Sequence, residues 1–144
     1  MLDINVIRND PEGIKAAMRA LNDAEAIPRI DLILNLDERR RALIQQVDDM
    51  RAEKNKVSKI ISQTRDPKER QAKIDQMKSL NARLEKAEAD LRKVQAALDE
   101  EMLWIPNLPA AGVPVGPDEQ HNVVVREEGA LPEFDFEPLP HWEI

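Results

Sequence analysis

A chain of 144 residues with a net charge of −7, 34% charged and only 3% aromatic residues has the length of one domain, but its composition suits long solvated helices better than a compact enzyme built around a cleft. The absence of cysteine excludes disulfides and thiolate metal sites. No run of about 18 apolar residues occurs and the N-terminus lacks a basic-then-apolar signal, so a cytoplasmic protein with no membrane association is expected.

Met1 to Arg8 reads as a short mixed lead in which Leu2, Ile4, Val6 and Ile7 are available to pack. Asp10 followed by Pro11 predicts a helix start, because the carboxylate can accept orphan backbone N–H groups and a proline at the first position loses no hydrogen bond. Ile14, Ala17, Met18 and Leu21 then form one apolar face. Asn22 to Pro28 reads as a turn, with the next helix starting near Arg29 to Asp31.

From there the apolar positions alternate by three and four. Ile33, Leu36, Arg40, Leu43, Val47, Met50, Lys54, Val57, Ile61 and Thr64 form a heptad seam. Asp66, Pro67 and Glu69 supply a capping-box restart. A second series, Ile74, Met77, Leu80, Leu84, Ala87, Leu91, Val94, Leu98, Met102 and Ile105, runs back. The fold class is therefore all-α: a long antiparallel two-helix coiled-coil hairpin with a short N-terminal helix at its base. Folding at Asp66 makes Val47 face Leu84, Val57 face Ile74 and Ile33 face Leu98. Lys54 and Arg40 are polar seam positions, whose long side chains can lay methylenes on the seam and send the charge to water. The tip, near 62–70, has Ile61 opposite Arg70 and is expected to fray. Arg39, Arg40 and Arg41 are expected to pair with Glu38, Glu88 or Asp90.

Beyond Ile105 the character changes. Seven of the ten prolines and three of the four glycines lie in 106–144, which excludes long helices. Val123, Val124 and Val125 can form one short strand only if a partner sheet exists. The chain thus divides into a helical arm domain, 1–105, and a Pro-rich, mostly irregular connector, 106–144. His121 and His141 have no helical partner or cysteine beside them, so no metal site is expected; Glu133, Asp135 and Glu137 read as surface charge.

Charge is segregated along the arm. Between Arg51 and Lys78 nine basic residues face four acidic ones, a net +5, while the remainder carries 12 basic and 24 acidic residues, a net −12. A rigid paired-helix arm with a basic end suits structured RNA, which is read through its backbone and 2′-hydroxyls. The candidate RNA-binding residues are Arg51, Lys54, Asn55, Ser58 and Lys59 on the outgoing helix and Arg70 and Lys73 on the returning one. Arg51, Asn55, Ser58 and Ser62 share one face by their spacing. The competing reading is a coiled-coil protein-interaction or chaperone-like module whose basic tip takes an acidic partner.

Several motifs, in order, resemble the N-terminal region of bacterial seryl-tRNA synthetases: Met1-Leu2-Asp3 with Ile7 to Pro11, Arg51 to Lys59, Ile105 to Pro109, Val113 to Gly116, Phe134-Asp135-Phe136, and Pro140-His141-Trp142. Ser62 departs from the glycine often found there in the family. The resemblance implies a tRNA-binding arm that holds the long variable arm of serine tRNA, followed by a connector into a class II catalytic domain. It implies that this chain alone is not an enzyme, that ATP and Mg belong to the missing domain, and that dimerisation of the parent enzyme does too. The isolated arm is expected to be monomeric.

Overall fold

A computed structural model describes residues 2–130 and 132–144; Met1, part of the expected lead, lies outside the described residues. Four helices account for the regular structure of the first part of the chain: α1, Ile4–Asn9; α2, Pro11–Ala20; α3, Ala26–Gln63; and α4, Pro67–Leu103. One compact unit extends to Val113 and a second spans Pro114–Ile144.

The expected lead is a helix instead. Asp3 caps α1, accepting from the Asn5 backbone N–H at 2.8 Å, and Ile7 is wholly buried. Asp10 then serves both helices: it closes α1, its N–H donating to the Val6 carbonyl, and it opens α2 by accepting from the Gly13 N–H at 2.9 Å. Of the predicted α2 face, Ile14 and Met18 are buried, but Leu21 is 40% exposed because it is the C-cap rather than a helical residue. Asn22 takes the left-handed conformation at φ 57. Its N–H donates to the Arg19 carbonyl, and that of Asp23 to the Met18 carbonyl, both at 3.0 Å. This is the paired-bond ending known as the Schellman motif, with asparagine in the place glycine usually takes.

The first arm helix begins at Ala26, three residues before the earliest expected start. Proline does not block it, because Pro28 sits in the first turn, where the missing N–H has no intrahelical partner anyway. Asp23 supplies the cap from outside, accepting from the Ala26 N–H at 3.0 Å. At the far end Thr64, Arg65 and Asp66 connect α3 to α4. Asp66 accepts from the Lys68 N–H at 3.2 Å, so the predicted cap forms at the second helical residue rather than the third, and among the described residues the Glu69 side chain does not accept from the Asp66 N–H to complete a capping box.

The two long helices run antiparallel. Arg29 meets Glu101 at 2.7 Å near the base, and Arg51 meets Glu88 at 2.8 Å further out. At about 1.5 Å per residue α3 is about 57 Å long. Two apolar cores lie along the hairpin. The base core combines Ile7, Ile14, Met18, Ala26, Ile30 and Ile33 with Leu98, Met102 and Ile105, and the mid-arm core joins Val47 and Met50 to Leu80, Leu84 and Ala87. Ile33 and Leu98 thus share one core and Val47 and Leu84 the other, as the folding point at Asp66 requires. Each such side chain contributes about 1.5–3 kcal/mol through burial. Beyond Met50 only Val57 is buried on α3, and α4 buries nothing before Leu80.

Between the two cores lies Asp37, fully buried. Arg8 reaches it from α1, Nε and a terminal nitrogen both at 2.9 Å from Oδ2; Arg41 Nε donates to the same oxygen at 3.0 Å and Arg40 to Oδ1 at 3.0 Å. This corrects the expected pairing of Arg40 and Arg41 with Glu38, Glu88 or Asp90. Burial would raise the Asp37 carboxyl, but the hydrogen bonds from Arg40, Arg8 and Arg41 outweigh it and hold the group below the usual aspartate range. Lys15 joins α2 to α3 through Asp31 at 2.6 Å and also touches Glu12 at 3.2 Å, and these bonds raise its pKa.

In the unit Pro114–Ile144 the described residues form two single-turn 3-10 helices, Glu119–His121 and His141–Glu143. Val123, Val124 and Val125 have no partner strand among them and are exposed, as are Phe134, Phe136 and Trp142.

Candidate nucleic-acid interface

The outer third of the hairpin gives up apolar burial and gains free positive charge. Lys54, Lys56, Lys59, Arg65, Lys68 and Arg70 are all exposed, and among the described residues none has an ion-pair partner. The acidic residues nearby are partly occupied. Asp66 caps α4, and Asp75 accepts from Gln71 and Lys78, both at 3.2 Å, bonds that lower its pKa. Positive potential therefore dominates this end of an acidic protein, and exposed charges of one sign within a Debye length of about 8–10 Å reinforce one another.

On α3, Arg51, Asn55 and Ser58 lie on one face by their three- and four-residue spacing, and Lys59 flanks it, four residues beyond Asn55. The amide of Asn55 and the hydroxyl of Ser58 are exposed and unengaged among the described residues. Arg51 is not free: besides Glu88 it approaches Asp48 at 3.8 Å, although its side chain remains 57% exposed. Ser62 turns its hydroxyl inward, donating to the Lys59 carbonyl at 2.7 Å.

Lys54, a seam position by spacing and an RNA-binding candidate by charge, and Lys73, an RNA-binding candidate, sit in different environments. Lys54, assigned by spacing to the seam, is exposed. Lys73 is half-buried, its Nζ donating to Gln76 Oε1 at 3.3 Å, and it falls in the three-four series with Arg70 and Met77. For Lys54 the reason is the narrowing of the seam beyond Met50, where its apolar neighbours are too few to cover a long side chain. Arg65, within the connection, and Lys68, just after it, are as exposed as Lys59 and Arg70. Their charge was visible in the sequence, but no periodicity singled them out. Among the described residues no group of three or more His, Asp or Glu side chains can hold a metal ion, and no helix is long and apolar enough to cross a membrane.

A two-helix arm with a basic outer end, rooted in a small helical base, is the class of module that fold and charge define. Residues 1–109 match the family described as the seryl-tRNA synthetase N-terminal domain, and the chain belongs to that family. Over its whole length it is 43% identical to a serine–tRNA ligase of Thermomicrobium roseum and 40% identical to one of Roseiflexus castenholzii. It spans about a third of those relatives, 32% and 34% of their lengths. Among solved structures, the seryl-tRNA synthetase of Pyrococcus horikoshii complexed with ATP superposes with a TM-score of 0.79 at 28% identity, covering 85% of this chain and 28% of that one.

Proposed function

We propose that this chain binds serine tRNA through the outer end of its hairpin and is not itself a catalyst. Its task is positioning: Arg51, Lys54, Asn55, Ser58 and Lys59 on α3, with Arg70 and Lys73 on α4, hold the backbone of the long variable arm so that the acceptor end reaches a catalytic domain. That domain corresponds to the part of the relatives beyond the span matched here; ATP and Mg, and the contacts that make the parent enzyme a dimer, belong to it, and 106–144 is the connector towards it. The arm alone is monomeric, because each seam is satisfied by the other helix of the same hairpin.

The observation that carries this reading is the set of unpaired cations at the outer end of an arm belonging to the seryl-tRNA synthetase N-terminal family. Lysine and arginine displace condensed counterions from phosphates, so affinity should fall steeply with salt. Filter binding with serine tRNA, a version lacking its long variable arm, and a non-cognate tRNA tests it. Serine tRNA should bind tightest and the shortened version should lose that advantage. Equal affinity for all three removes the proposal and leaves a basic-tipped interaction module.

A further inference from the structure

A local excess of positive charge also occurs at the root of the arm, although the chain outside 51–78 is net acidic. Around Asp37 three guanidinium groups share one carboxylate, so two of the three positive charges are uncompensated within the cluster. Arg40 is turned inward, its Nε buried without a hydrogen-bond partner. Arg41 and Arg8 face outward, with side chains 52% and 33% exposed. Asp37 fixes both through Nε, which leaves Arg41's terminal nitrogens free and splits Arg8's between Asp37 and Asn5. Arg41, held by Nε alone, presents its planar fork with little further loss of side-chain freedom, a geometry suited to phosphate oxygens; Arg8, whose three nitrogens are all engaged, adds its charge beside it.

Position along α3 connects this cluster to the outer end. Asp37 and Asn55 are 18 residues apart, five full turns at 3.6 residues per turn, so they lie on one face of α3 about 27 Å apart. Arg41 and Arg51 flank that line. Of the two acidic residues between them, Asp48 is met by Arg51 at 3.8 Å and Asp49 accepts from Gln45 at 3.0 Å.

We propose that Arg41, mounted on Asp37 and reinforced by the charge of Arg8 beside it, forms a second phosphate-contacting site at the root of the arm, taking the same RNA that the outer end takes. The proposal rests on the RNA-binding reading above. Two contact points on one face would set the angle at which RNA lies along the arm, which a single basic tip leaves open, and they recruit α1 into binding through Arg8.

The test compares Arg41→Gln with Arg39→Gln. Arg39 is exposed, has no ion pair among the described residues, and sits at the same level of α3 but two residues, or about 200°, away from both Asp37 and Arg41. The two variants change net charge equally. Serine tRNA is titrated at several salt concentrations against each variant and the unaltered chain. Arg41→Gln should make the slope of log affinity against log salt less negative by about 1, with Arg39→Gln unchanged. Equal flattening by both assigns the effect to overall charge and overturns the site. No flattening by Arg41→Gln, with tight binding by the unaltered chain, overturns the site and leaves the outer-end reading intact; no binding by the unaltered chain overturns both. Should Arg41→Gln fail to fold, arginine-specific labelling of the unaltered chain tests the same site. Serine tRNA should protect Arg41 and leave Arg39 reactive, and equal labelling of Arg41 with and without RNA sinks the proposal.

Discussion

Arg8 and Asp37 are 29 residues apart in sequence and in contact at 2.9 Å, joining α1 to the long outgoing helix at the level where the base core ends. The carboxylate is fully buried and the guanidinium is not. Such a bond ties the direction of the arm to the base with a specificity that apolar contacts lack, because displacing either partner strands a charge.

Asp37→Ala should therefore be among the most damaging single changes in the base. It leaves Arg8, Arg40 and Arg41 facing one another without their shared acceptor. Breaking a buried pair by removing one partner costs about 3–5 kcal/mol, and the partial exposure of the arginines places this one at about 3 kcal/mol. Urea unfolding followed by circular dichroism measures it; a loss below about 1 kcal/mol would show that water takes over the role of the carboxylate.

The same residue contributes to the acid limb of the stability profile. Its carboxyl is depressed in the folded chain, so its contribution is complete above the unfolded aspartate value of about 3.9 and disappears as pH falls through the lower folded value. Lys15 works in the opposite sense: its pKa is raised by Asp31 and Glu12, so its contribution holds at neutral pH and is lost as pH climbs through the raised folded value. Thermal unfolding of Asp37→Asn, compared with the unaltered chain between pH 2 and 7, should show the difference narrowing only below about pH 4. A constant difference throughout would mean that the charge of Asp37 is irrelevant to its role.

Sequence patterning made the hairpin legible because its signals are local or strictly periodic. The Asp66-Pro67 restart and the three-four spacing place the fold point, and the fold point places Ile33 with Leu98 and Val47 with Leu84. What escaped depends on partners distant in the chain or on atypical turn chemistry. Arg8 looks like any exposed arginine until α1 folds beside α3. Asn22 fills a position usually marked by glycine, and Pro28 reads as a breaker although it lies in a helix's first turn. At the outer end, spacing identified the shared face of Arg51, Asn55 and Ser58, but it could not foresee that Glu88 engages Arg51 or that Lys73, not Lys54, lies half-buried.

Charge reversal at the outer end should separate binding from stability. Lys59 and Arg70 are exposed and, among the described residues, without ion pairs, so Lys59→Glu with Arg70→Glu should leave helix content and melting temperature within the small range of surface changes, about 0.5 kcal/mol. Serine tRNA affinity should drop and its salt slope flatten by about 2, one for each phosphate no longer neutralised. An unchanged slope would locate the interface elsewhere. Lys73 is the poorer choice for this experiment, since its half-burial mixes a packing effect into the binding effect.

Stability and recognition occupy opposite ends of the arm, and amide exchange should display the gradient. Leu80, Leu84 and Ala87 pack with Val47 and Met50 into a continuous core, whereas past Val57 the outgoing helix has only half-buried Ile61, with Thr64 half-buried just beyond its end, and the returning helix begins with exposed residues from Pro67 to Ala72. Few buried contacts mean low opening free energies. Backbone amides around Ile61 and Arg70 should exchange well before those around Leu84, in the absence of RNA. Adding serine tRNA should slow the outer amides selectively, because a ligand that binds only the closed arm stabilises it by mass action. Outer amides as protected as Leu84 without RNA would show that the thin seam suffices to hold the tip shut. Protection gained at Leu84 but not near Ile61 would place the RNA on the middle of the arm.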